Sequence, residues 1–221
     1  TIDFFISIGG DGTFLDAVAT LGKKNIPIIG INMGRLGFLS NVNMDKIEYL
    51  FINLQQGNYI VEKRMLLELQ CPNRCTTSFA LNDIVIHRLA YSGLITVDVT
   101  IDGQHLNSYW GDGVIIATPT GSTGYSLSAG GPVADPTMEL FIASPICAHM
   151  LHARCALLSG QKEIEIILKD DTVLAEITID GEVCDKITNA DRVIIKKSDL
   201  NADIIKIGNQ SFYDVLIDKL R

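Results

Sequence analysis

Two runs in the chain hold side chains with chemical potential. The first is Gly9-Gly10-Asp11-Gly12-Thr13, where one carboxylate stands among glycines. The second runs from Thr118 to Pro132 and interleaves Ser and Thr with Gly around Tyr125. Hydroxyls and bare backbone amides donate short, directional hydrogen bonds, which suits phosphorylated or polyhydroxyl ligands. Glycines let the amides approach phosphate oxygens closely, and a following helix N-terminus adds positive potential. An aspartate in such a loop can accept a proton from an attacking hydroxyl or help to hold a metal ion. Each run also has a plain reading. Asp11 can simply cap a strand-to-helix turn, and Thr118–Pro132 can be a long surface loop. The first run fits neither the Gly-x-Gly-x-x-Gly fingerprint nor the P-loop.

These runs need elements to position them. Asp3–Ile8 reads as a buried parallel-type strand leading into Gly9-Gly10. From Thr13 the period becomes helical, with Phe14, Leu15, Val18 and Leu21 on one face and Gly22 as the stop. Ile26–Ile31 is a second strand and residues 32–39 a Gly-punctuated loop. A second helix is capped by Asn43, striped by Ile47, Leu50, Phe51 and Leu54, and ended by Gly57. This alternation predicts an α/β layer over residues 1–57. Beyond it, Tyr59–Gln70, Phe79–His87, Leu94–Ile101, Val114–Ala117, Glu163–Leu168, Val173–Ile179 and Arg192–Lys197 read as strands. Asp102-Gly103 and Asp180-Gly181 are the tight turns of hairpins. Residues 58–200 therefore read as an all-β domain, and residues 201–221 end in a helix opened by Ser211 and Asp214.

The 221 residues are 47% hydrophobic, enough for one large or two small cores. A net charge of −8 gives no support for nucleic-acid binding or an anionic membrane surface. No apolar run approaches the about 20 residues of a membrane span. The five cysteines, Cys71, Cys75, Cys147, Cys155 and Cys184, are odd in number and irregularly spaced. They predict free thiols and a cytoplasmic protein rather than a disulfide framework. Cys71 and Cys75 have no second pair to complete a zinc site. The histidines are scattered, and Tyr109 and Trp110 read as core. Because Asp3–Ile8 already reads as core strand, further residues are expected upstream of Thr1.

Gly9–Thr13 is shared by several kinase families, among them NAD kinases, diacylglycerol and sphingosine kinases and, in a variant, phosphofructokinases. The rest of the sequence resembles NAD kinases. Asn32-Met33-Gly34-Arg35-Leu36-Gly37-Phe38-Leu39 resembles their Asn-x-Gly-x-Leu-Gly-Phe-Leu motif, and Leu81-Asn82-Asp83-Ile84-Val85 resembles their Asn-Glu motif. Gly111-Asp112-Gly113 with Thr118–Pro132 resembles their Asp-Gly and Thr-Pro-Thr-Gly-Ser-Thr-Ala-Tyr-Ser block, and Asp180-Gly181 matches a weaker element. The motifs stand in the family's order.

The resemblance implies a Rossmann-like α/β domain lacking its first elements, a multi-stranded β-sandwich domain, and a C-terminal helix packing back on the first. It implies transfer of the ATP γ-phosphoryl group to the 2′-hydroxyl of the adenosine ribose of NAD, with a divalent metal such as Mg²⁺, in a homo-oligomer, dimer or tetramer. Asp11 would be the catalytic carboxylate, with Gly12 beside it. Gly9, Gly10, Gly12 and Thr13 would form the phosphate-donor loop. Phe38 would pack on the dinucleotide. Asn82 and Asp83 would hold its ribose and adenine end, and Asp112 would contact the nicotinamide-side nucleoside. Thr123, Gly124, Tyr125, Ser126, Leu127 and Ser128 would complete the NAD site. Arg35 is the candidate for phosphate charge, and a solvent-exposed loop arginine is its other reading.

Four positions depart from the family's pattern. Asp83 stands for Glu, Gly124 for Ala, Trp110 for a basic residue in some members, and Glu182 for a frequent Gln. Two rival readings remain: a diacylglycerol-type lipid kinase, which leaves Asn82-Asp83 and Thr118–Pro132 unexplained, and a catalytically silent dinucleotide-binding regulator, which leaves Asp11 unexplained.

Overall fold

The structure is a computed structural model describing residues 2–34, 37–40, 42–74, 76–170, 174–208 and 211–220. The chain divides into two compact units, Thr1–Arg64 with Leu200–Arg221, and Met65–Asp199.

In the first unit, β1 (Phe5–Gly9) lies parallel to β2 (Ile28–Asn32), in register from Phe5 opposite Ile28 to Gly9 opposite Asn32. A parallel pair needs a crossover, and α1 (Asp11–Leu21) supplies it. Phe14, Ala17, Val18 and Leu21 are its buried stripe, and Gly22 ends it at φ 53° by donating to the Val18 carbonyl. The expectation of a fully buried first strand needs correction. β1 is an edge strand, and Ile6 and Ile8 are exposed. A short strand absent from the sequence reading, β3 (Val42–Asn43), pairs parallel with β2. The second helix also starts later than Asn43 suggests. A 3-10 turn spans Met44–Lys46, α2 covers Ile47–Gln56, and the Asn43 side chain makes no capping bond. Gly57 closes α2 in the left-handed conformation. Leu50 of α2 packs with Ile29 and Ile31 of β2 in the core of this unit.

The chain enters the second unit along β4 (Ile60–Cys71). Then come β5 (Thr76–Ala80), β6 (Asp83–Arg88), β7 (Ile95–Ile101), β8 (Gln104–Gly111) and β9 (Gly113–Ala117). A 3-10 turn (Thr120–Thr123) and the one-turn helix α3 (Tyr125–Ser128) follow. The remaining strands are β10 (Leu140–Ile146), β11 (Ala156–Ser159), β12 (Ile164–Leu168), β13 (Ala175–Ile179), β14 (Glu182–Ile187) and β15 (Val193–Lys206). One sheet has the order β11-β10-β9-β6-β13-β14. In the other, β12 lies between β15 and β7, β8 follows β7, and β4 pairs with β5. Inward residues of both sheets, among them Ile86, Ile116, Val97 and Ile166, form one core. Each such side chain contributes about 1.5–3 kcal/mol by leaving water. This is the expected all-β sandwich.

Two details differ from the sequence reading, and a third falls partly outside the described residues. Phe79–His87 is two strands, broken at Leu81-Asn82. Val173 of the expected Val173–Ile179 strand lies outside the described residues. β8, β10, β11 and β14 have no counterpart in that reading; β8 and β14 are edge strands with mixed exposure and little hydrophobic alternation. Both Asp-Gly turns are present. Asp102 and Gly103 (φ 49° and 75°) join Ile101 to Gln104, and Asp180 and Gly181 (φ 50° and 90°) join Ile179 to Glu182. Positive φ at both central residues is the type I′ pattern that suits twisted hairpins.

The last residues of β15 return to the first unit, with Ile204 opposite Ile28 of β2 in parallel. α4 (Phe212–Leu220) opens on the expected capping pair: the Ser211 amide donates to Asp214 Oδ2 at 3.0 Å, and the Asp214 amide donates to Ser211 Oγ at 3.1 Å. The helix packs back on this unit through Phe212, whose ring lies 6.0 Å from that of Phe38. Among the described residues no helix is long and apolar enough to cross a membrane. Cys71, Cys147, Cys155 and Cys184 are free thiols.

Candidate functional site

In the first unit the chemistry gathers at the C-terminal ends of β1 and β2. Asp11 is the first residue of α1, after Gly10 as N-cap. Its carboxylate reaches the loop after β2: Oδ2 accepts from the Phe38 amide at 2.9 Å and Oδ1 from the Leu39 amide at 3.2 Å. Gly37 permits this contact, since a Cβ there would lie 1.9 Å from Asp11 Oδ1. Asp11 and Phe38 are therefore brought together, with each Asp11 oxygen keeping acceptor capacity. Gly10 and Gly12 are exposed with open space above them, and Thr13 is exposed. Arg35 lies outside the described residues.

In the second unit Asn82 and Asp83 sit where the chain passes from β5 to β6. The Asp180 carboxylate of the hairpin turn accepts from the amides of Leu81 (2.8 Å), Asn82 (2.7 Å) and Asp83 (3.0 Å). Those bonds break the expected single strand. From the other side, Thr118 Oγ1 donates to the Leu81 carbonyl at 2.6 Å and accepts from the Gly121 amide at 3.0 Å. A Cβ on Gly121 would lie 2.1 Å from the Asn82 carbonyl oxygen, so only glycine fits there. A Cβ on Gly124 would lie 3.8 Å from both Asn82 Nδ2 and Asp83 Oδ2, which places these two groups beside the start of α3.

The paired acids behave differently. Asp83 is 5% exposed, and its carboxyl makes no hydrogen bond with a described residue. Burial, aided by the Asp180 charge, pushes it up to about 7. Burial also raises Asp180, but its three amide donors oppose the rise. Asp180 is thus the anion of the pair, and Asp83 the group that holds a proton near neutrality.

The polar block divides by direction. Ser122 Oγ donates to the Pro119 carbonyl at 2.6 Å and accepts from the Ala134 amide. Ser126, wholly buried, shares a 3.1 Å hydrogen bond with Ser144. Ser126 thus has its hydroxyl committed to the interior, and Leu127 is half-buried. Thr123 and Gly124 are partly exposed, and Tyr125 and Ser128 are exposed. Burial raises the Tyr125 phenol, with Cys147, Asp112 and Asp83 adding to the effect, so these groups share one electrostatic neighbourhood. Asp112 is ion-paired with Arg88, which holds its carboxyl below the usual range. The expected core role of Trp110 is corrected: it is 47% exposed and stands edge-on to His149 at 5.4 Å. Tyr109 is core as expected.

Sequence reasoning misses three contributors. The Arg88–Asp112 pair follows from the register that sets His87 opposite Gly113, which no local pattern encodes. Asp180 reads in sequence as a turn residue, and its bracing of residues 81–83 spans about a hundred positions. Gly37 belongs to a motif, but its contact with Asp11 has no local signal.

Residues 1–59 match the family model for the ATP-NAD kinase N-terminal domain, and residues 81–207 match the one for the ATP-NAD kinase C-terminal domain. The chain belongs to the NAD kinase family. The NAD kinase of Carboxydothermus hydrogenoformans is 41% identical over all of this chain and 80% of its own length. That of Natranaerobius thermophilus is 36% identical over 99% of this chain and 77% of its own. Among solved structures, yeast NADH kinase complexed with NADH superposes with a TM-score of 0.91 at 28% identity, over 99% of this chain and 65% of that one. An NAD kinase from Archaeoglobus fulgidus in complex with ATP gives 0.80 at 30% identity, over 99% of this chain and 83% of that one. The NAD kinase match runs through both the Asp11 loop and the Asn82–Asp83 turn. A lipid kinase sharing only Gly9–Thr13 does not account for it.

Proposed function

We propose that the protein transfers the γ-phosphoryl group of ATP to the 2′-hydroxyl of the adenosine ribose of NAD, giving NADP and ADP. The match to both family domain models carries this reading. The geometry supports it, because phosphoryl transfer needs positioning and charge compensation more than covalent chemistry. Asp11 orients the ribose hydroxyl and takes its proton as the new O–P bond forms. The bond from the γ-phosphorus to its bridging oxygen breaks, and that electron pair leaves with ADP. Gly9, Gly10, Gly12 and Thr13 offer the donor phosphates amides and a hydroxyl at the start of α1. Phe38 packs on the dinucleotide.

In the second unit, Asn82 and protonated Asp83 present an amide and a carboxyl group to the adenosine end, beside Thr123, Gly124, Tyr125 and Ser128. Ser126 and Leu127 contribute through backbone and packing. Asp112, oriented by Arg88, meets the nicotinamide-side nucleoside. Among the described residues no group of three or more His, Cys, Asp or Glu side chains forms a metal site. That fits Mg²⁺, which binds through one or two carboxylates and substrate phosphates rather than a protein cage. Such an ion would be held by Asp11 and the substrate phosphates and would supply charge neutralisation there. The free thiols suit the cytoplasm, and exposed Leu157 on β11 and Val183 on β14 suit a homo-oligomer joined through the β-rich unit.

The test is NADP formation from ATP, Mg²⁺ and NAD, read with an NADP-specific dehydrogenase, beside Asp11→Asn. The expected result is turnover lowered about 10²–10⁴-fold in the variant. A folded protein that binds NAD and makes no NADP would overturn the kinase reading in favour of a silent regulator. Phosphorylation of diacylglycerol in place of NAD would favour a lipid kinase.

A further inference from the structure

A lysine that no motif singles out shares the electrostatic neighbourhood of Asp11. Lys206 is the last residue of β15, whose end runs parallel to β2 with Ile204 opposite Ile28. Side chains alternate along a strand. Ile205 and Ile207 pack with Ile29, Ile31 and Leu50, on the α2 side. Ile204 and Lys206 therefore project to the other face of the sheet. On that face Gly30 is covered by Phe14 of α1 and by Ser40, and Phe14 lies one helical turn after Asp11.

The surroundings of Lys206 are charged but leave it without a direct partner among the described residues. Glu62 is ion-paired with Arg64. Asp11 and Glu62 attract the Lys206 ammonium, Arg64 repels it, and burial with that repulsion lowers its pKa. Lys206 makes no hydrogen bond or salt bridge with a described residue. Ser40 Oγ, buried on this face, is without a partner among the described residues. A partly buried cation lacking a bonded anion is costly unless a ligand supplies one.

We propose that Lys206 binds the donor phosphate beside Asp11 and carries the positive charge that the transferring group requires. It rests on the kinase reading for the identity of the donor but not for the phosphate contact itself. Asp11 holds the acceptor hydroxyl and Lys206 the phosphate oxygens, so one carboxylate and one ammonium flank the group in transit. A lysine suits this task as a point charge on a flexible stem.

The experiment uses the full chain with Lys206→Met and Lys206→Arg. Binding of inorganic tripolyphosphate and of NAD is read separately by calorimetry, and turnover is measured with ATP and NAD. Lys206→Met is expected to lose about 100-fold in tripolyphosphate affinity and in kcat/KM for ATP, with NAD affinity within about threefold. Lys206→Arg is expected to recover all but about tenfold. Unchanged tripolyphosphate binding in a folded Met variant would overturn the proposal. So would parallel loss of phosphate and NAD affinity, the mark of a general structural role. If the Met variant does not fold, Lys206→Gln takes its place, and failure of both makes Lys206 structural and overturns the assignment. A protein that binds tripolyphosphate through Lys206 yet makes no NADP would sink the kinase reading alone.

Discussion

The two units each use a carboxylate to grip backbone amides of a distant loop, but they distribute the work differently. Asp11 braces Phe38 and Leu39 and is itself the group proposed to take the proton. Asp180 braces Leu81, Asn82 and Asp83, and the neighbouring Asp83 carboxyl, proposed to meet the ligand, has no hydrogen bond among the described residues. In the first unit, structure and proposed chemistry share one side chain. In the second they are split between two, at the cost of burying two acids together.

The largest expected effect tests that sharing. A Cβ at Gly37 must displace the Asp11 carboxylate, because the space it needs is already filled. Gly37→Ala should therefore lower kcat about 100-fold or more, approaching Asp11→Asn, although Gly37 itself carries no chemistry. Near-normal kcat would show that the grip on residues 38–39 and the reacting position are separable.

Next comes the split pair. Asp83 is raised from 3.8 to about 7, so its contribution to folding is fully present below pH 4 and is lost as pH rises through 7. Asp83→Asn removes this dependence. Its stability relative to the unaltered protein should improve by up to about 4 kcal/mol between pH 4 and pH 8, at about 1.4 kcal/mol for each tenfold difference in proton affinity between the folded and unfolded chain. Denaturant unfolding at a series of pH values reads this directly. A pH-independent difference between the two proteins would mean that Asp83 is ionised throughout.

Asp180→Asn should cost about 2 kcal/mol, since an amide oxygen replaces a carboxylate accepting three N–H groups. For a chain of this size that is about 4–8 °C in Tm. Loosening residues 81–83 should raise the NAD dissociation constant about tenfold. The same change removes a negative neighbour, so the Asp83 titration followed by NMR should move down. Loss of stability without that movement would show that burial alone sets Asp83.

Much of this is readable from residue order, and what escapes shares a cause. The β1-α1-β2 unit, the Asp-Gly hairpins and the Ser211–Asp214 cap are local, and their signals lie within a few residues. The break between β5 and β6 is not local: Leu81 and Asn82 are separated from Asp180 by most of the second unit. Hydroxyl direction is equally hidden. Thr118, Ser122 and Ser126 look like ligand groups in sequence, yet each is spent on internal bonds, and Tyr125 and Ser128 are the ones left facing outward. β8 and β14 escape because exposed edge strands do not show the alternation that marks half-buried ones. Lys206 escapes because its place in the fold depends on a parallel pairing between residues 28 and 204.

The smallest expected effect concerns Gly124, where the family pattern carries Ala. Its φ of −95° lies outside the left-handed region that favours glycine. A Cβ would approach the Gly121 carbonyl oxygen at 3.3 Å, a contact that eases with a shift of a few tenths of an ångström. Asn82 Nδ2 and Asp83 Oδ2 at 3.8 Å are in ordinary contact. Restricting the unfolded chain offsets the crowding, as Gly→Ala changes at compatible sites do by about 0.4–1 kcal/mol. Gly124→Ala should thus move stability by less than about 0.5 kcal/mol and leave NAD affinity within about threefold. Both Gly37 and Gly124 lie against an aspartate of the proposed site, but Gly124 leaves a methyl group's width and Gly37 leaves none. If Gly124→Ala were as damaging as Gly37→Ala, clearance around the carboxylate would not be what distinguishes the two sites.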